Sequence, residues 1–308
     1  MAGNALKISY CTTCKGRLHH LRETLPANLK AEEGNPNVEF VVLDYSSDDG
    51  LADWIKENFS EAMQSGRLRY ARLDNAPHFK MAHAKNMAHR LATGDVLCNV
   101  DADNFIVPDF SRWLREQFVQ NENCLVSCLI STLTDVYKKK IGEWKRVEAF
   151  SPGMGGRVAM SKTNFDQLRG YDERLSGWEG EDVDLVRRAQ RFGLERVMLP
   201  KEFYGSVILH DNDARLKQLS GKDRLASEKR LSSGRWERSA RRYREMMSPD
   251  KVVNPDGNVG CGVVHINFSP EAIEIKPICS TPKEATVRVP DWRTVAAATR
   301  ASQWGIRS

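Results

Sequence analysis

Short apolar runs alternate with amphipathic stretches from the start of the chain to about residue 200. "ALKISYC", "VEFVVLD" and "RLRYARL" are apolar runs of strand length. Between them, "RLHHLRETLPANLKAE" and "LADWIKENFSEAM" have helical spacing, with Leu51, Trp54, Ile55 and Phe59 on one face of the second. "MAHAKNMAHRLA" is a further helix ended by Gly94, and "DVLCNVDADNF" is a strand that runs into acidic residues. This alternation predicts an α/β fold on a mostly parallel sheet flanked by helices, in which ligands bind at the carboxyl ends of strands.

The later pattern is less regular. "NCLVSCLISTL" reads as a strand, and "SPGMGGRVAMSK" is Gly-rich and feeds a helix. Ser161 suits the N-cap of "KTNFDQLR" and Gly170 its stop, and "VDLVRRAQRFG" is another helix stopped by Gly193. "GVVHINF" and "ATVRV" are short strand-like pieces near the end. The expected division is a main domain at 1–215, a basic helical segment at 216–251 and a C-terminal extension of short β-like pieces at 252–308.

Composition narrows the class. With 308 residues, 41% hydrophobic and 28% charged, the chain reads as a soluble globular protein. It shows no leader-peptide pattern and no apolar run near the ~20 residues of a membrane span, so no span and a cytoplasmic location are expected. The seven cysteines are odd in number and mostly lie in apolar runs, which suits reduced thiols. "CTTC" at 11–14 has the spacing of a redox or zinc half-site, but a second CxxC is missing. The net charge is +5, with a local +7 between Arg215 and Lys251. Such a segment can meet phosphates, nucleic acid or an acidic surface, or can be a solvated helix face.

Several acids stand where chemistry is expected. Asp101 and Asp103 follow an apolar strand, and residues two apart in a strand face one side. Paired carboxylates repel unless a cation or donors lie between them, and hard oxygen ligands suit Mg²⁺ or Mn²⁺ on a substrate diphosphate. His210 ends the apolar run "SVIL", and imidazole beside Asp103 would favour Mn²⁺ over Mg²⁺. Asp44 ends another strand, where it can accept hydrogen bonds from a base or ribose, or form a turn. The Gly155-Gly156 pair lets backbone approach a ligand or makes a simple turn. In "GWEGEDVDLVRR", Glu181 and Asp182 suit a helix N-terminus, worth about 0.3–1 kcal/mol each. Helical phase places Asp182 with Leu185, Val186 and Ala189 on the apolar face, where desolvation makes it a better base. The same phase places Asp184 over Arg187 and Arg188, as a solvated ion-pair residue.

These pieces in order resemble the GT-A fold of nucleotide-sugar glycosyltransferases. The N-terminal half is similar to glycosyltransferase family two through "FVVLDYSSDDG" and "MAHAKNMAHRLATGDVLCNVDAD". The middle resembles β-1,4-galactosyltransferases and chondroitin-type polymerases through "FKMAHAKN", "GMGGRVAMSKTNFDQLRGYDERLSGWEGEDVDL" and "VILH". The resemblance implies that Asp44 contacts uridine, Asp101 contacts ribose or metal, Gly156 lines the donor-sugar site and Trp178 lies between donor and acceptor. It implies further that Glu181 contacts the sugar, Asp182 is the base, and Asp103 and His210 bind Mn²⁺ or Mg²⁺. Glu179 and Val183 depart from the family pattern, so the acceptor is not inherited. The implied activity is metal-dependent, inverting transfer of a hexose from a UDP-sugar, with a glycan as the expected acceptor. A hydroxymethylated base in DNA is the alternative, held by Arg235, Arg238, Arg241, Arg242 and Arg244. A nucleotide-sugar or carbohydrate-binding relic of the fold is the non-enzyme alternative.

Overall fold

The computed structural model describes residues 6–128, 155–175, 177, 180–210, 212–232 and 252–283. Its centre is four parallel strands, β1 (Ile8–Cys14), β2 (Val38–Tyr45), β3 (Leu68–Leu73) and β4 (Val96–Asn99), in the order β3-β2-β1-β4. Every residue of β2 is buried, as an apolar strand covered on both faces requires.

The flanks depart from the expected mostly parallel pattern. β5 (Cys124–Ser127), β6 (Val158–Ser161) and β7 (Glu195–Met198) continue the sheet beyond β4, with β6 antiparallel to both β4 and β5. β8 (Gly262–Ile266) and β9 (Ala272–Ile275) form an antiparallel pair, and β8 joins β3 antiparallel. β8 and β9 therefore belong to the same nine-stranded sheet as the N-terminal half.

Helices cover both faces. α1 (Leu18–Ala31), α2 (Leu51–Asn58) and α5 (Phe110–Gln120) pack on one face through Leu21, Leu25, Ile55, Phe110 and Leu114. Against the other lie α4 (Met81–Leu91), α6 (Lys162–Gln167) and α7 (Glu181–Arg191), through Ala84, Met87, Phe165, Leu185 and Ala189. The short α3 (Ser60–Gln64) continues α2, and α8 (Asn212–Leu216) and α9 (Gly221–Ser232) follow β7. Among the described residues, no helix is long and apolar enough to cross a membrane.

Cys11 and Cys14 lie three apart on β1, so their side chains enter opposite cores. Both thiols are free and buried, which removes the zinc and redox readings of "CTTC".

A buried carboxylate closes the amino end of the sheet. Glu39 on β2 accepts hydrogen bonds from Ser9 (2.6 Å), Lys7 Nζ (2.8 Å) and the Thr93 hydroxyl (2.7 Å). Burial alone would raise its pKa, but these donors outweigh burial and hold it down at about 2, against an ordinary 4.5. A lowered folded-state pKa contributes stability above the unfolded value, and that stability is lost as pH falls from 4.5 towards 2. Glu39→Gln is expected to cost about 3 kcal/mol at neutral pH, with the gap from wild type closing over that acid window. Urea unfolding at pH 7 and pH 3 checks this; a gap independent of pH refutes it.

Candidate active site

The strand order reverses at β1: β2 and β3 lie on one side and β4 on the other. In open α/β sheets this is where a crevice opens at the carboxyl ends of the strands. β4 ends at Asn99, so Asp101 and Asp103 occupy a turn and not the strand expected from the sequence. The reason is local: Asn104 N–H donates to the Asp101 carbonyl (2.9 Å), and Asn99 donates to Asp101 Oδ1 (3.0 Å) and to the Gly156 carbonyl (2.9 Å). The two carboxylates thus turn to different partners.

Asp103 meets His210. Asp103 Oδ2 and His210 Nε2 lie 2.8 Å apart, each side chain 14% exposed. Backbone pairing brings them together: Ile208 N–H donates to the Asp103 carbonyl (2.8 Å), and Phe105 N–H to the Ser206 carbonyl (2.9 Å). Val207 makes only an isolated bridge with Asn104, where the sequence suggests a strand. Buried Arg157 supports both segments by donating to the carbonyls of Tyr204 (2.9 Å) and Phe105 (3.0 Å). Burial works to raise the Asp103 carboxyl, but hydrogen bonds from His210 and Asn104 hold it below its usual range.

Three polar residues on α1, absent from the sequence reading, cradle this turn. His20, Thr24 and Asn28 are spaced four apart and all buried, so they form one stripe. The Thr24 hydroxyl donates to the Ala102 carbonyl (2.8 Å). Asn28 donates to the Asn104 carbonyl (3.0 Å) and accepts from Ile106 N–H (2.8 Å). The His20 ring stacks on His210 with centroids 5.4 Å apart. Burial, helped by Arg17 and His19, pulls His20 down to about 4, so it is neutral at pH 7.

A second cluster faces the first. Lys85 on α4 is 2% exposed and donates to Asp182 Oδ1 (2.7 Å) and Glu181 Oε1 (2.9 Å), with Asp101 Oδ1 at 4.0 Å. Burial opposes its charge, but Asp182, Glu181 and Asp101 more than offset burial and raise its pKa well above the ordinary value. With every acid ionised the cluster keeps net negative charge, and the carboxyls of both Asp182 and Asp101 are pushed up. Burial pushes the Asp182 carboxyl up, Lys85 pulls it down, and Glu181 and Asp101 add to the rise; the net shift is upward. Glu181 is held below its usual range, because Lys85 outweighs burial. Asp182 stays 17% exposed, at the rim, while Glu181 is buried behind it. Gly156 packs against Asp101 so closely that a Cβ would overlap its carboxylate.

The remaining candidates divide. Asp44 ends β2 as expected but is fully covered, accepting from Ser47 N–H (2.6 Å), the Tyr70 hydroxyl (2.7 Å) and Arg72 (2.5 Å). Asp184 corrects the expectation of a solvated ion pair. It is buried and paired with Arg188 (2.7 Å), itself buried while donating to the carbonyls of Leu168 (2.7 Å) and Gly170 (2.6 Å). A buried guanidinium that caps the end of α6 requires a buried counter-charge. Trp178 and Glu179, and Arg235, Arg238, Arg241, Arg242 and Arg244, lie outside the described residues.

The profile of glycosyl transferase family 2 matches residues 9–195. The chain belongs to glycosyl transferase family 2. Its activity class is therefore glycosyl transfer. The matched span runs from β1 to the start of β7 and contains every sequence-predicted site residue except His210. A similar fold is also found among solved structures. One is the mannosyltransferase PcManGT from Pyrobaculum calidifontis, in complex with GDP-Man and Mn²⁺, at 16% identity and TM-score 0.53, covering 79% of this chain and 71% of that one. Another is S. aureus TarS 1-349 in complex with UDP-GlcNAc, at 13% identity and TM-score 0.53, covering 79% and 72%. At these identities the likeness is one of fold, the GT-A arrangement expected from the sequence. No curated protein matches the sequence.

Proposed function

We propose that this family two enzyme is a metal-dependent, inverting glycosyltransferase that moves a hexose from a UDP-sugar to a hydroxyl of a glycan. The observation that carries this reading is the Lys85 ammonium. It lies 2.7 Å from Asp182 and 4.0 Å from Asp101, and so joins the acceptor-side acid to the donor-side turn in one cleft.

Asp103 and His210 supply a carboxylate oxygen and an imidazole nitrogen at one point, a donor set that suits Mn²⁺ better than Mg²⁺. Among the described residues, no group of three His, Cys, Asp or Glu side chains is arranged to hold a metal ion, so the other positions of an ion on Asp103 and His210 would be left to other ligands. When bound, such an ion neutralises the charge that develops on the diphosphate leaving group.

The protein's own groups do the rest. Asp101, fixed by Asn99, accepts from the donor's ribose. Gly156, whose backbone closes directly on Asp101, lines the donor-sugar site. Glu181, tied down by Lys85, holds a sugar hydroxyl, with Trp178 between donor and acceptor. Asp44 acts at the uridine end through the Ser47 turn and Arg72 that it holds. Asp182, at the rim, removes the proton from the attacking hydroxyl, whose oxygen reaches the anomeric carbon from the face opposite UDP. The transition state is oxocarbenium-like, so alignment and charge placement dominate.

A nucleotide-release assay tests the reading. UDP-glucose, UDP-galactose, their N-acetyl forms and GDP-mannose are offered with Mn²⁺ and an oligosaccharide panel. Acceptor-stimulated release of UDP, lost on chelation, is the expected result. Release of GDP alone, or release unaffected by chelation, refutes it.

A further inference from the structure

Two buried ion pairs anchor α7, and they differ in balance. Arg188 and Asp184 form an (i, i+4) pair 2.7 Å apart, and the other guanidinium nitrogens reach backbone carbonyls. Each nitrogen of that guanidinium has a partner within the fold, as a buried structural cation requires. Lys85 is unbalanced. A single ammonium takes Asp182 and Glu181 directly and stands 4.0 Å from Asp101. The cluster thus brings three carboxylates to one ammonium and leaves Asp182 17% exposed, which a single balanced pair does not need.

Lys85 is also fixed more firmly than a flexible lysine. Its ammonium lies over the face of the Tyr171 ring, 5.4 Å from the centroid. Its backbone carbonyl accepts from His89 Nδ1 (2.7 Å); burial pulls His89 down to about 3, and its ring stacks on Phe165. The neighbouring Asn86 clamps α4 to the next segment, accepting from Tyr171 N–H (2.7 Å) and donating to Glu173 (2.8 Å). The ammonium therefore cannot follow one acid without leaving another.

We infer that Lys85 is a positioning residue for transfer: one ammonium fixes Asp182 relative to the donor-side turn at Asp101, so that the base and the donor are held in register. The inference rests on the proposed function and adds to it a residue that links its two halves. It predicts that loss of the ammonium harms the transfer step far more than donor binding, because Lys85 acts through Asp182.

The test compares wild type with Lys85→Met, Lys85→Arg, Asp182→Asn and the double variant Lys85→Met/Asp182→Asn, reading kcat and donor KM by UDP release. In Lys85→Met, kcat is expected to fall about 100-fold with donor KM changed less than about threefold, a loss at the low end of the general-base range. Lys85→Arg, which keeps the charge, is expected to recover at least about tenfold of that loss. The double variant is expected to be no slower than Asp182→Asn alone, because residues acting as one unit are not additive. Multiplied losses in the double variant overturn the inference, as does Lys85→Met at wild-type kcat, or Lys85→Arg no better than Lys85→Met. Should Lys85→Met fail to fold, Lys85→Arg and the double variant, which removes a carboxylate together with the cation, decide the matter by the same criteria. A wild type that releases no UDP overturns the functional reading before any variant is compared, and this inference with it.

Discussion

Asp182→Asn is expected to bind the UDP-sugar as wild type does and to transfer it about 10²–10⁴-fold more slowly. The substitution keeps the size of the side chain and an oxygen for Lys85, so α7 and the donor side keep their places. It removes the group proposed to take the proton. The pH dependence supplies an independent readout. A base works when ionised, so activity rises as pH rises through the Asp182 pKa and is lost below it. Burial raises that pKa, Lys85 opposes, and Glu181 and Asp101 add to the rise. The acid limb of the wild-type profile is therefore expected above the usual carboxylate range of about 4. In the Asn variant that limb disappears, and the residual rate is flat. Near-wild-type kcat in Asp182→Asn, or an acid limb that persists in it, would show that another group takes the proton.

What the sequence disclosed, and what it hid, follows from where partners lie. The central strands and α1, α2, α4 and α7 were legible because periodicity is local. Asp103 and His210 could be singled out as candidates because each follows an apolar run, and the structure places them 2.8 Å apart. Lys85 was not singled out, although it lies within the quoted "FKMAHAKN". On a helix, Lys reads as a solvated position, and its partners Glu181 and Asp182 come 96 and 97 positions later. Thr24 and Asn28 were hidden in the same way. Their polarity suggests solvent, but they are buried because they satisfy the backbone of a turn 78 and 76 residues away. Asp184 misled for the converse reason. Its (i, i+4) partner Arg188 was visible, but the carbonyls of Leu168 and Gly170 that draw Arg188 inward were not. β8 was readable as a strand, yet nothing local said that it would pair with β3, as Leu73 with Val264. A signal that could have found Lys85 was available: Lys85, Asn86 and His89 lie together on α4 among Ala and Met, a polar group on a helix otherwise suited to burial.

Asp103→Ala is expected to abolish metal-dependent UDP binding while leaving the fold intact. The carboxylate is held below its usual range by His210 and Asn104, so it is ionised at neutral pH and available as a ligand. Its removal takes away the hard oxygen and also the atom that faces His210 Nε2 at 2.8 Å, so both protein donors are affected. The expected loss in Mn²⁺-dependent UDP affinity exceeds the 10–100-fold typical of outer-shell partners, so it should be more than about 100-fold. Thr24→Ala and Asn28→Ala supply the comparison. They loosen the turn that carries Asp103 without removing a donor atom, and so should fall within that roughly 10–100-fold range. Calorimetric titration with UDP, with and without Mn²⁺, separates the cases. Metal-independent binding should be equal in all four proteins, because Asp44 and Arg72, the proposed uridine contacts, are untouched. If Asp103→Ala keeps wild-type affinity in Mn²⁺, the cation is not held by this turn. If Thr24→Ala matches Asp103→Ala, the geometry of the turn, and not the carboxylate, governs binding.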